Sequence, residues 1–276
     1  MSPSGEGELL VRARSVLLDA LEALAKHRDS LVIVGAQAIY LHTGRVNLPL
    51  AEATKDSDVA IDPRELDDDP LLETAMQAAG FHRDPTKSQP GSWLSADGVP
   101  VDLMVPEALA GAGNHRGARI PPHGKNVARN TRGLEAALVD HQHAEIRALD
   151  PSDARVVTAK VAGPAALLVS KLHKLGERTN QPGRLVDKDA HDIYRLLVAT
   201  ETPALAGRLE ELSEDEIAGP VTVSAIVYLR ELFATPTALG ALMAGRAEQT
   251  AGDPEAATVA AVLLSNGLLA ALDGSG

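Results

Sequence analysis

The sequence predicts an α+β fold whose second half is entirely helical. Short apolar runs bounded by turn residues alternate with helical periodicity up to residue 162. Beyond that point every apolar pattern repeats at helical spacing, with breaks at Pro203, Pro220, Pro236 and Pro254. The 276 residues suit one large domain or two modest ones. We therefore expect two domains, 1–162 and 163–276.

The first domain opens with a helix over 7–28, because Leu10, Leu17, Leu21 and Leu24 share one stripe and Arg12, Arg14, Asp19, Glu22 and Lys26 lie largely off it. Leu31 to Val34 reads as a short buried strand, ended by Gly35 and followed by a short helix over 36–42. Strand, glycine, helix is either a tight turn or a place where free backbone N–H groups hold a phosphate. Thr43-Gly44-Arg45 closes this helix, and a loop through Pro49 leads to a strand over 58–61. Asp62, Glu65, Asp67, Asp68 and Asp69 then crowd a loop that lacks the glycine and ligand spacing of a calcium site, so it reads as solvated. A helix over 70–79 turns Leu71, Leu72, Ala75, Met76 and Ala79 inward and ends at Gly80. Asp97-Gly98 between apolar runs predicts a hairpin whose second strand carries Asp102. Residues 110–133 read as a long loop, and 144–149 and 155–161 as further strands.

In the second domain, Pro164 opens a helix over 164–177 with Leu168, Leu172 and Leu175 on one side. Lys171, Lys174 and Arg178 form a separate basic stripe on it. A turn at Gln181-Pro182-Gly183 leads to a helix over 187–199, with Lys188, Asp189 and Asp192 in its first two turns. Helices over 203–212, 219–234, 236–248 and 254–272 complete the chain.

Composition narrows the function classes. No run of 18 apolar residues occurs, which predicts no membrane-spanning helix, and the first eight residues lack the basic start of a signal peptide. The absence of cysteine removes thiolate metal sites and fits a cytoplasmic location. A net charge of −12 argues against a nucleic-acid-coating protein, yet 115–132 and 155–174 are basic islands free of acids, able to meet a polyanion such as a triphosphate or an RNA end. Six aromatic residues are too few for a stacking platform. His141 and His143 have strand spacing suited to zinc but no clear further ligand.

The chemistry gathers at Asp56 and Asp58. Residues two apart on a strand share a face, so these carboxylates project together, and their repulsion calls for a shared proton or a divalent cation. An acidic turn entering a strand is the plainer alternative. Asp102, an acid in an apolar strand, either pairs with an arginine such as Arg45 or faces the same cleft. A phosphate-type turn, a D-x-D strand and a third aspartate meet the needs of nucleotidyl transfer, in which two divalent cations clamp a triphosphate. Lys171 would meet that triphosphate from the other side.

Val32 to Arg45, Thr54 to Asp62 and Val99 to Met104 resemble the nucleotidyltransferase superfamily related to polymerase beta, and Lys171 to Leu197 is similar to the second signature of its AbiEii-like toxin group. The resemblance spans roughly residues 30–200 and implies a nucleotidyltransferase-type mixed sheet with flanking helices. It implies Asp56, Asp58 and Asp102 as magnesium ligands (two ions, with manganese a substitute) and Asp102 as the carboxylate that assists deprotonation of the acceptor. Lys171 then lies near the triphosphate, with Asp189 as the late essential acid. Gly35, Ala36, Arg45, Lys174 and Lys188 are the further nucleotide-binding candidates, while helix-terminal charges and i,i+4 pairing explain Lys188 and Asp192 as cheaply. Ala36 departs from the family's Gly-Ser and loses a phosphate-binding hydroxyl. The implied partners are an NTP, an RNA acceptor such as a tRNA 3′ end, and an antitoxin protein. A small cationic acceptor of aminoglycoside type, a protein hydroxyl, or a non-catalytic nucleotide-binding relative stand as alternatives.

Overall fold

The structure is a computed structural model, and it describes residues 3–44, 55–84, 89–113, 115–250 and 252–274. The chain forms two compact units, one of Met1–Ala38 with Ala53–Ala162 and the other of Ile39–Glu52 with Gly163–Gly276. The division is therefore not a single cut near residue 162, because the segment from Ile39 groups with the helical unit.

The first unit is built on a mixed sheet. Its elements are α1 (Pro3–Ala23), β1 (Leu31–Val34), α2 (Gly35–Thr43, of which only the first turn belongs to this unit), β2 (Ser57–Ile61), α3 (Leu72–Ala78), β3 (His82–Arg83), β4 (Ser92–Leu94), β5 (Pro100–Pro106), β6 (Arg129–Thr131), β7 (His141–Arg147) and β8 (Val156–Ala162). The strand order is β3-β4-β5-β2-β1-β8-β7, with β6 added beside β5. β1 with β8, β2 with β5 and β5 with β6 run parallel, and the other pairs are antiparallel. Leu17, Leu18, Leu21 and Leu24 are buried, and the Ser57 hydroxyl donates to the Ala13 carbonyl at 3.0 Å, which fixes α1 over the sheet.

Several local expectations shift. The first helix stops at Ala23 and continues as a 3-10 turn over Ala25–Ser30. The long loop contains β6, three polar residues whose strand conformation comes from pairing with Met104 to Pro106. β7 starts three residues earlier than its apolar pattern implied, since its edge position leaves His141, Gln142 and His143 free to be polar. The acidic loop is not wholly solvated. Asp62 is buried and takes a bidentate contact from Arg64 at 2.9 and 2.7 Å. His123, read as a loop histidine, is buried and accepts the Leu72 N–H at 3.2 Å, capping α3 from outside the helix.

The second unit is helical: α4 (Pro164–Gly176), α5 (Asp187–Ala199), α6 (Thr202–Glu214), α7 (Gly219–Phe233), α8 (Leu239–Arg246) and α9 (Pro254–Gly274), with the end of α2. Leu168, Leu172, Leu175, Ile193, Leu196, Leu229 and Phe233 fill its core. Gly176 lets α4 approach α7 closely, because any Cβ there would press into the Tyr228 ring at 2.6 Å. Among the described residues α9 is the one helix long and apolar enough to cross a membrane by length and composition, with 33% of that window buried. Ser265, Asn266 and Gly267 interrupt its apolar run, so it contains no 18 consecutive apolar residues.

Candidate active site

Asp58 sits on β2 and Asp102 on β5, and the parallel ladder places them directly opposite each other. Direct partners on adjacent strands present side chains to the same face, so the two carboxylates stand side by side. Each is half-buried. The same row runs through Val34 on β1, opposite Asp58, and Ser92 on β4, opposite Asp102.

Gly35 follows Val34 with φ +65°, a conformation that side chains rarely adopt. A Cβ here would collide with the Asp58 carboxylate, so glycine is required on both counts. The turn starts α2, whose first N–H groups have no partner within the helix. Ala36 is buried and adds no hydroxyl to this turn.

Asp56 is exposed and lies just before β2 begins at Ser57. The structure thus brings Asp58 and Asp102 together, but among the described residues no three acid or histidine side chains gather as a metal-holding group. Asp56 precedes the first ladder pair of β2, Ser57 with Val101, so the sheet register aligns Asp58 with Asp102 and does not extend to Asp56. Asp102 finds an arginine as well as the cleft: Arg129 Nη1 lies 3.1 Å from Asp102 Oδ2, and Arg129 Nη2 lies 3.1 Å from Met104 Sδ. Arg45, expected at the nucleotide and as a partner for Asp102, lies outside the described residues.

The pair suits magnesium. That ion prefers hard oxygen donors and is usually held by one or two carboxylates, the remaining positions going to water and substrate phosphate. Asp58 and Asp102 supply such donors, and Asp58 packs against the Gly35 turn that starts α2.

The second unit has a charge cluster of its own. Lys171 is not on an exposed basic stripe: only 5% exposed, its ammonium lies 2.7 Å from both Asp189 and Asp192. Burial opposes its charge, but the two carboxylates override burial and hold the ammonium well above the ordinary lysine range. Burial likewise pushes Asp189 up, and Lys171 and Lys174 override it, holding the carboxyl well below the ordinary range. Asp192 is lowered in the same way, by Lys171 and then Lys188 against burial. Lys174 approaches Asp189 at 2.9 Å while remaining 43% exposed, and Arg178 reaches the same acid at 3.8 Å. Lys188 pairs with Asp192 at 3.2 Å and lies 5.2 Å from the centre of the Tyr40 ring. The accessible cation of this cluster is therefore Lys174, and Lys171 is its buried keystone. Arg195, which sequence reasoning missed, is buried and donates to the Thr43 hydroxyl and carbonyl at 3.2 and 3.3 Å.

The basic islands are partly consumed within the first unit. Arg155 pairs with Asp19 and Asp153, and Arg129 with Asp102. Arg116 and Lys125 remain exposed.

Comparison with known proteins follows the same line. The sequence model of a family described as nucleotidyltransferase matches residues 13–214. No curated protein matches the chain. Among solved structures, the chain is similar to the solution structure of the antibiotic-resistance factor ANT(2'')-Ia, at 13% identity and a TM-score of 0.39, over 71% of this chain and 88% of the other. The matched residues make up well over half of the chain, and on that basis the chain belongs to the nucleotidyltransferase family.

Proposed function

We propose that the protein transfers a nucleoside monophosphate from an NTP to an acceptor hydroxyl, with magnesium held by Asp58 and Asp102 and with Asp56 as an outer contributor. The observation that carries this reading is the register of Asp58 against Asp102 beside the Gly35 turn. The acceptor oxygen attacks the α-phosphorus, the bond to the bridging oxygen breaks, and pyrophosphate leaves. The hydroxyl proton passes to the Asp102 carboxylate, and Arg129 keeps that carboxylate oriented. The N–H groups at the start of α2 meet the phosphate oxygens, a role that falls to backbone because Ala36 offers no hydroxyl. A bound divalent cation would lower the pKa of the attacking hydroxyl and neutralise charge on the leaving group. In the second unit Lys174 is the accessible cation, and Lys171 with Asp189 positions it.

The acceptor we propose is an RNA end, such as a tRNA 3′ end, in an AbiEii-like toxin with a neighbouring antitoxin. Exposed Arg116 and Lys125 in the first basic island support an RNA contact. The net charge of −12 favours a second reading, a small cationic acceptor. Labelled NTPs with total RNA, or with an aminoglycoside, separate the two. Asp58→Ala should abolish labelling of either acceptor, and equal labelling by this variant and the wild type would reject the site.

A further inference from the structure

Arg14 is a buried cation without a buried anion. Its side chain is on α1, 4% of the residue is exposed, and its two acceptors are neutral: Gln37 Oε1 at 2.9 Å and the Arg147 carbonyl at 3.2 Å. No carboxylate pairs with it among the described residues. Burial depresses its pKa, and no acid counters that effect. A buried charge held by neutral groups alone is costly. Gln37 repeats the imbalance. It is 1% exposed, its Oε1 accepts from Arg14, and its Nε2 has no partner among the described residues.

Both groups lie at one place in the fold. Gln37 is the third residue of α2, two positions after Gly35, in the turn that carries the positive end of the helix. A guanidinium and an amide donor unpaired among the described residues thus add positive charge to the start of a helix whose first N–H groups lack partners within the helix, and the Asp58 carboxylate packs against the same turn. A structural tie among α1, α2 and β7 would need only neutral donors. A full charge here makes sense if a polyanion docks on the outer side of the turn.

We propose that Arg14, acting through Gln37, is a positioning residue that biases the Gly35 turn toward a bound polyphosphate. The inference rests on the nucleotidyl-transfer reading and adds the element that replaces the hydroxyl lost at Ala36. Arg14 does not touch the substrate. It holds the first turn of α2 by its hydrogen bond and contributes its charge through the low-dielectric layer beneath.

The test is Gln37→Glu, which gives Arg14 a carboxylate while leaving the arginine in place. Binding of the magnesium complexes of the four common ribonucleoside triphosphates, and of inorganic tripolyphosphate, is measured by calorimetry alongside thermal melting. We expect a melting temperature equal to or above wild type, and about tenfold weaker binding of both ligand types, equivalent to ~1.4 kcal/mol. Arg14→Met should raise KM for NTP by a similar factor with kcat nearly unchanged, and Arg14→Lys should restore most of it. A folded Gln37→Glu variant that binds both ligands as wild type does would overturn the inference, as would weakened NTP binding with unaltered tripolyphosphate binding. If the wild type itself binds no NTP, the nucleotidyl-transfer reading fails first and removes the basis of this one.

Discussion

At the residue scale, Gly35 and Asp58 constrain each other. The glycine has a backbone conformation that side chains avoid, and the carboxylate fills the space a Cβ would take. Gly35→Ala should therefore cost about 1–3 kcal/mol of stability by denaturant titration, and it should reduce turnover at least a hundredfold by displacing Asp58. A variant with wild-type turnover would show that the turn does not set the carboxylate. Lys171 and Lys174 make the opposite contrast, one buried and one exposed in the same cluster. Lys171→Met leaves two carboxylates buried against each other and should destabilise the protein by about 3–5 kcal/mol. Lys174→Ala removes a partly exposed partner and should cost no more than ~1 kcal/mol. Equal losses in the two variants would contradict the assigned burial. The pH dependence follows from the depressed carboxyls of Asp189 and Asp192. Their stabilisation is complete above the unfolded pKa of about 3.9 and declines as pH falls toward their lower folded values. Melting temperature measured from neutral pH downward should fall most steeply below about pH 4. Asp189→Asn should flatten that limb, and an unchanged limb would exclude the cluster as its cause.

At the element scale, legibility tracked local punctuation. Pro164, Pro220 and Pro254 announce helices that begin at or within a residue of them, and the apolar spacing of α4 to α7 sets their buried faces. Asp97-Gly98 announced the hairpin in the same way. What escaped was set by pairing rather than pattern. Arg129-Asn130-Thr131 has no apolar alternation and becomes β6 because β5 offers it an unpaired edge. That same strand brings Arg129 to Asp102, a partner invisible to spacing rules 27 residues away in the chain. The basic stripe on α4 is a helical face as its spacing predicts, but Asp189 and Asp192 from α5 cover Lys171, which the spacing alone does not reveal. Packing between α4 and α7 gives a direct check. Gly176→Leu would drive a side chain into the Tyr228 ring and should lower the melting temperature by several degrees, corresponding to roughly 1–3 kcal/mol.

At the scale of the whole molecule, charge distribution separates the acceptor readings. The protein carries −12 overall, yet Arg116 and Lys125 stand exposed on the sheet unit. Replacing both with glutamate should weaken labelling of RNA at least tenfold and steepen no other activity, because the change acts on docking and not on Asp58 or Asp102. A small cationic acceptor would instead be labelled as well or better. Equal RNA labelling by the double variant would remove this face from the RNA reading. Chelation should stop transfer to either acceptor, and added magnesium or manganese should restore it; activity that persists in excess chelator would set aside the divalent ion.

The parallel register of β2 with β5 also governs when the site comes into being. Forty-four residues separate Asp58 from Asp102, so their meeting closes a long loop for which no local hairpin can substitute. Such a contact forms late relative to β1 pairing with β2, because loop-closure entropy must be overcome before the strands reward it. A chain synthesised only as far as residue 99 contains Gly35 and Asp58 but not yet Asp102. Under the nucleotidyl-transfer proposal, chemistry therefore waits on the joining of β5 to the central sheet.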